Sequence, residues 1–128
     1  MAKKLVMYLE DESFWRSHAK DTLMESQLSD RIELLLFDNF KALEKELERR
    51  QPDLLILDNE LKTVKSNGAT KGAELLPKYL AMHPGLRVVM FPALADKEFR
   101  NHATDKGAFK TFSKMTSFEE LVFECLEA

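Results

Sequence analysis

Short apolar runs alternate with amphipathic stretches along the chain. The runs are Leu5–Leu9, Ile32–Phe37, Leu54–Leu57, Val88–Phe91 and a weaker one at Ala108–Phe112. Apolar side chains at nearly every position, rather than every second one, predict strands covered on both faces, as in a parallel sheet. The intervening stretches carry helical stripes. Phe118, Leu121, Val122, Cys125 and Leu126 follow the i, i+3, i+4, i+7, i+8 spacing throughout. Trp15, Ala19 and Leu23 form a second stripe, Phe40, Leu43 and Leu47 a third, and Leu75, Leu76, Tyr79 and Leu80 a fourth. Pro77 fits the last only within the first helical turn, where its missing N–H costs nothing. Ala95–Asp105 has the thinnest apolar face of the helical stretches. This β-α alternation with short connections predicts an α/β fold, one open parallel sheet with helices on both faces. One connection, Asn59–Lys71, is long and poor in apolar residues, and Ser66–Thr70 around Gly68 is expected to be mobile.

With 128 residues, the chain has room for one domain, residues 1–128. Nineteen Lys and Arg against 22 Asp and Glu leave a formal charge of -3, without the basic excess expected of a nucleic-acid partner. No apolar run approaches the ~20 residues of a membrane helix. The start, Met1-Ala2-Lys3-Lys4 and then five apolar residues, lacks a full signal-peptide core. The single cysteine, Cys125, has no internal partner, and no Cys/His cluster has zinc spacing. A cytoplasmic location is expected.

Ligands of open α/β sheets bind beyond the carboxyl ends of the strands, so the residues that end each run are the candidates. Glu10, Asp11 and Glu12 follow the first run, Asp58 the third, and Ser113 and Lys114 the fifth, while the fourth ends in Pro92-Ala93. If strands one and three are neighbours, Glu10, Asp11 and Asp58 converge. Carboxylates that close repel unless a cation joins them, and an all-oxygen set suits Mg²⁺ or Mn²⁺. With Lys114 as a further point charge, this becomes a phosphoryl-binding site in which a carboxylate can itself accept the phosphoryl group. The plainer alternatives are a strand-end carboxylate at Asp58 and N-capping of a helix near Ser13 by Glu10 and Asp11.

Four segments in order resemble the receiver domain of bacterial two-component response regulators. They are Leu9-Glu10-Asp11-Glu12, Pro52-Asp53-Leu54-Leu55-Ile56-Leu57-Asp58, Gly72-Ala73-Glu74-Leu75-Leu76, and Gly107-Ala108 with Phe112-Ser113-Lys114. The resemblance implies a single doubly wound (βα)5 domain with a five-stranded parallel sheet of order 2-1-3-4-5. It implies Mg²⁺-dependent phosphoryl transfer to Asp58 from a histidine kinase or histidine phosphotransfer protein, and signalling by protein contacts rather than enzymatic turnover. Asp11 and Asp58 would hold the metal, with Glu10 acting through water and the Glu60 backbone carbonyl completing the set. An output domain or a second copy of the chain are further partners it allows. Three positions depart from the family pattern: Pro92 stands where a strand-four hydroxyl is usual, Met115 follows Lys114 in place of proline, and the Asn59–Lys71 connection is longer. Phe112 fills the aromatic switch position without a hydroxyl.

The remaining residues point to packing or solvation. His18, His83 and His102 are scattered, and a surface or helix-end place is expected for each. Cys125 falls on an apolar stripe, Trp15 reads as partly buried packing near the acidic residues, and Lys45–Arg50 as a solvated helix face. Lys62, Lys65 and Lys71 read as solvated loop positions. No glycine-rich turn follows strand one, which disfavours flavin and dinucleotide folds. An aspartyl-phosphate phosphatase and a receiver-like scaffold that no longer switches remain the alternatives.

Overall fold

The computed structural model describes residues 2–61 and 70–127, with Thr70 by its backbone alone. Five strands form one parallel sheet: β1 (Lys4–Leu9), β2 (Ile32–Phe37), β3 (Leu54–Leu57), β6 (Val88–Met90) and β7 (Lys110–Thr111). Their order, β2-β1-β3-β6-β7, is the expected 2-1-3-4-5 once a separate two-stranded ribbon, β4 (Glu60–Leu61) and β5 (Thr70–Lys71), is numbered in. Five α-helices connect and cover the sheet: α1 (Ser13–Met24), α2 (Phe40–Arg49), α3 (Leu76–Met82), α4 (Lys97–Asp105) and α5 (Phe118–Glu127).

The continuous apolar runs are explained by two cores. Strand side chains alternate faces, so Met7, Leu9, Leu55, Leu57, Val88 and Met90 pack with Leu43 and Leu47 of α2, Leu76 and Tyr79 of α3 and Ala103 of α4. The opposite face, Val6, Tyr8, Leu54, Ile56, Val89 and Phe91, packs with Ala19 and Leu23 of α1 and the Phe118, Leu121, Val122 and Cys125 stripe of α5. The central strand β3 is buried throughout, whereas β2 at the edge buries only Ile32 fully.

Helix starts follow their capping chemistry. Asn39 accepts from the Ala42 N–H at 2.8 Å ahead of α2. Asp96 does the same for Phe99 at 2.8 Å, which gives the thinly apolar stretch around α4 a defined start. Pro77 lies in the first turn of α3, which is led in by a 3₁₀ turn over Gly72–Leu75. Gly107, at φ +109°, turns the chain from α4 into β7 in the region where glycine is favoured. The weak fifth run forms only two residues of ladder, Lys110 and Thr111, at the sheet edge.

The long connection is corrected at both ends. Rather than a loop throughout, it leaves and returns as the antiparallel ribbon, Glu60 opposite Lys71 and Leu61 opposite Thr70. Leu61 is buried in the first core, and Lys71 Nζ lies 2.5 Å from Glu60 Oε1. Lys62, Lys65 and positions 66–69 of the stretch expected to be mobile lie outside the described residues. The returning chain is clamped beside Asp58: the Gly72 N–H donates to the Asn59 carbonyl at 2.8 Å and the Ala73 N–H to Asn59 Oδ1 at 3.2 Å. A Cβ on Gly72 would stand 2.0 Å from the Asp58 carbonyl oxygen, a backbone atom that cannot swing aside. Gly72→Ala is therefore expected to cost about 1–3 kcal/mol of stability by overpacking. Urea unfolding measures this, and an unchanged midpoint would show that the clamp has slack.

Candidate functional site

The site begins with strand register. Leu9 of β1 pairs with Leu57 of β3, so the next residues, Glu10 and Asp58, emerge side by side at the carboxyl end of the sheet. The backbone holds both in place, through Glu10 N–H to Phe37 O at 2.9 Å and Asp58 N–H to Leu9 O at 3.1 Å. One carboxylate oxygen each from Glu10, Asp11 and Asp58 lies within 4.8 Å of the others. Glu10 and Asp58 are buried, at 0% and 4% exposure, and Asp11 is half-buried.

Lys114 enters from the connection between β7 and α5. Its backbone N–H donates to the Pro92 carbonyl at 2.8 Å, extending the β6–β7 pairing beyond the ladder. The ammonium bonds to Glu10 Oε1 and lies 3.2 Å from Asp58 Oδ1, with the side chain 7% exposed. It also lies 4.9 Å from the Trp15 ring centroid. Burial is the main force pushing the Asp58 carboxyl up, to about 7; Glu10 adds to it, and the Lys114 charge and hydrogen bond partly offset it.

Glu10 is almost fully engaged by the protein. Oε1 accepts from the Tyr8 hydroxyl at 3.1 Å as well as from Lys114, and Oε2 accepts from the Glu12 N–H at 3.1 Å. Glu10 thus also helps to start α1, since Glu12, at the N-cap, makes no side-chain cap of its own. Arg16 Nη1 donates to the Glu10 carbonyl at 2.7 Å. Tyr8 is fully buried between Phe91 and Phe118, and burial raises its phenol far above the ordinary value, so it stays a donor. For a metal, this leaves Asp11 and Asp58 as the direct donors. An all-oxygen, mostly carboxylate set fits a hard divalent cation.

The sequence candidates Glu10, Asp11, Asp58 and Lys114 are brought together. Glu60 turns its side chain to solvent and Lys71, so only its backbone can belong to the site. Pro92 is buried and meets Lys114 through its carbonyl, while Phe112 is half-buried, packed on the second core. His18 and His102 are exposed, and His83 Nε2 is 2.7 Å from the Leu47 carbonyl at the end of α3. Cys125 is buried, its thiol pushed up to about 11 by desolvation. Sequence reasoning missed Tyr8, Arg16 and the placing of Trp15 on Lys114. The signal for Tyr8 was available, because it lies two residues before Glu10 and so on the same strand face.

A family model, the response regulator receiver domain, matches residues 6–125. The chain belongs to this family. No curated protein matches the receiver's sequence. Solved structures share its fold. A CheY-like receiver domain from Methanospirillum hungatei JF-1 is 19% identical, with a TM-score of 0.80 over 98% of this chain and 93% of that one. The receiver domain of the putative response regulator NarL from Mycobacterium tuberculosis is 18% identical, with a TM-score of 0.80 over 100% and 99%. A Burkholderia pseudomallei response regulator with a phosphorylated aspartic acid, a calcium ion and citrate is 14% identical. Its TM-score is 0.77, over 94% of this chain and 65% of that one. The described helices of this receiver include none long and apolar enough to cross a membrane.

The raised Asp58 carboxyl predicts a pH-dependent stability gain on neutralising it. Between its ordinary value of 3.8 and about 7 the folded state holds a proton that the unfolded state has lost, so folding weakens as pH rises through this window. In metal-free buffer, Asp58→Asn is expected to be more stable than the parent by about 1–3 kcal/mol at pH 8. The gap should close towards pH 4, and thermal melts across that range measure it. A gap that grew on acidification would contradict the assignment.

Proposed function

We propose that this receiver accepts a phosphoryl group on Asp58 in a reaction that needs Mg²⁺ or Mn²⁺, and that it signals through protein contacts. The observation that carries this reading is the convergence of Glu10, Asp11 and Asp58 with Lys114 at the carboxyl end of the sheet, in a chain of this family. The donor is a phosphohistidine of a histidine kinase or histidine phosphotransfer protein, and an output domain or a second copy of the chain would read the result. A structure of the same fold, from Burkholderia pseudomallei, carries a phosphorylated aspartic acid and a calcium ion, which supports the same pairing of acceptor and cation here.

In this reading Asp58 attacks phosphorus through a carboxylate oxygen, forming an O–P bond as the donor's N–P bond breaks and the leaving imidazole takes up a proton. The bound metal would neutralise charge on the transferring oxygens. Asp11 and Asp58 would hold it directly, with Glu10 acting through water and the Glu60 carbonyl completing the protein's share. Lys114 stays within reach of the added charge. Glu10, fixed by the Tyr8 hydroxyl and the Glu12 N–H, holds the lysine in place until then.

Intact mass after incubation with Mg²⁺ and acetyl phosphate should rise by one phosphoryl group for the parent and not for Asp58→Asn. Undiminished labelling of the variant would remove Asp58 from this role. Millimolar Mg²⁺ should also raise the melting temperature by mass action, because the ion binds the folded site alone. No response would favour a scaffold working by contacts only.

Pro92 favours weak switching as a second feature of the same reading. It has no hydroxyl and no N–H, and its carbonyl is occupied by Lys114. Nothing at this position can hydrogen-bond a phosphoryl oxygen. Beryllofluoride is expected to move NMR signals near Glu10, Asp58 and Lys114 and to leave Phe112 nearly unchanged. Equal shifts at Phe112 would show that another group transmits the signal.

A further inference from the structure

Trp15 is the chain's only tryptophan, and it lies on the wall of the site rather than in a core. Its ring faces the Lys114 ammonium, 4.9 Å from centroid to Nζ. The indole is braced by edge contacts, to Phe14 at 5.2 Å and 84° and to His18 at 5.9 Å and 86°. The ammonium is thus enclosed by two carboxylates and one aromatic face, and its side chain is 7% exposed. We propose that Trp15 is a positioning residue that holds the Lys114 ammonium over the acidic cluster and keeps it available to an incoming phosphoryl group.

The argument turns on what an aromatic face does to a cation. A third carboxylate at this place would neutralise the lysine and compete with phosphoryl oxygens for its N–H groups. An indole face attracts the ammonium through its quadrupole and accepts no conventional hydrogen bond in exchange. Lys114 can therefore be held at the site and still donate to a new oxygen. The indole also covers the ion pair from water, which keeps its electrostatics strong. Lysine needs such a guide because its ammonium rides on a flexible stem. The role rests on the reading of Asp58 as acceptor, but the contact itself does not.

The test uses the full chain in two arms. In the first, fluorinated tryptophans of increasing fluorine number replace Trp15, weakening the cation attraction with almost no change of shape; one tryptophan makes the labelling site-specific. Mg²⁺-dependent phosphoryl uptake from acetyl phosphate, followed by intact mass, is expected to slow in step with fluorine number. Trp15→Leu should slow it about 3- to 30-fold, and Trp15→Phe should recover most of the loss, as a cation–π contact of ordinary strength implies. Circular dichroism establishes that the variants fold. In the second arm, Lys114→Met in the parent background should shift the Trp15 emission, because the charge against the ring is gone.

Uptake independent of fluorine number, or Trp15→Leu and Trp15→Phe equally slow, would overturn the proposal while leaving Asp58 as the acceptor. Absence of uptake in the parent would instead remove the acceptor reading. The emission arm then decides whether Trp15 holds Lys114, and an unchanged spectrum in Lys114→Met overturns it.

Discussion

Two carboxylates with almost no solvent exposure, Glu10 and Asp58, stand together with Asp11 at the ends of adjacent strands, and the rest of the site is arranged around that repulsion. At roughly 4–5 Å and an effective dielectric constant of ~20, a like-charge pair costs about 3–4 kcal/mol. The structure meets this in three ways. Asp58 is pushed up so that its proton is retained more easily, Lys114 lies against both acids, and Glu10 takes donors from Tyr8 and Glu12. A divalent cation would meet the same demand from the open side. Affinity for positive charge is therefore a consequence of folding this sheet.

The folding of the sheet, in turn, leaves little freedom in where the acids go. Met7, Leu9, Leu55 and Leu57 must face α2 and α3, while Val6, Tyr8, Leu54 and Ile56 must face α1 and α5. A one-residue slip would exchange the two sets, so register is held by both cores at once. Glu10 and Asp58 are the first polar residues after these runs, and the register of the apolar residues before them is what brings them level. On the far side of Asp58, Gly72 lets the backbone of the returning ribbon come closer than any side chain would allow. Asp58 is thus bounded by apolar packing below and a backbone clamp beside it.

The parts of this arrangement that depend on local pattern were legible in the sequence. Runs such as Leu54–Leu57 and the Phe118–Cys125 stripe declare buried strands and a packed helix face, and the strand-end acids follow from them. What depended on distant pairing was not legible. Glu60, expected to offer a backbone carbonyl, and Lys71, read as a solvated loop position, gave no sign of pairing, because an antiparallel ribbon of two pairs leaves no alternation to detect, and only the apolar Leu61 hints at burial. Trp15 read as helix packing because the α1 stripe accounts for it. Its ring reaches Lys114 only once β7 lies at the sheet edge and the β7–α5 connection folds back toward α1. At Ala108–Phe112 the strand itself spans two residues, while the Phe109 N–H to Val88 O and Phe112 N–H to Met90 O bonds continue the pairing with β6 on either side.

Lys114 also shows why sensing charge and transmitting it are separable in this fold. Its ammonium belongs to the acidic site, but its backbone belongs to the sheet, through the Pro92 carbonyl and, two residues earlier, the Phe112 N–H to Met90 O at 2.9 Å. The lysine stem joins these two ends through four methylenes with low rotational barriers. A displacement of the ammonium by an ångström or so can be absorbed in the stem without moving the backbone. A hydroxyl on a short side chain at position 92 would have no such slack. With proline there, any charge added at Asp58 would be met by the flexible, ionic Lys114. An equilibrium shifts only as far as the differential contacts of its two states. At position 92 this chain offers only a carbonyl already bonded to the Lys114 N–H, and no hydroxyl.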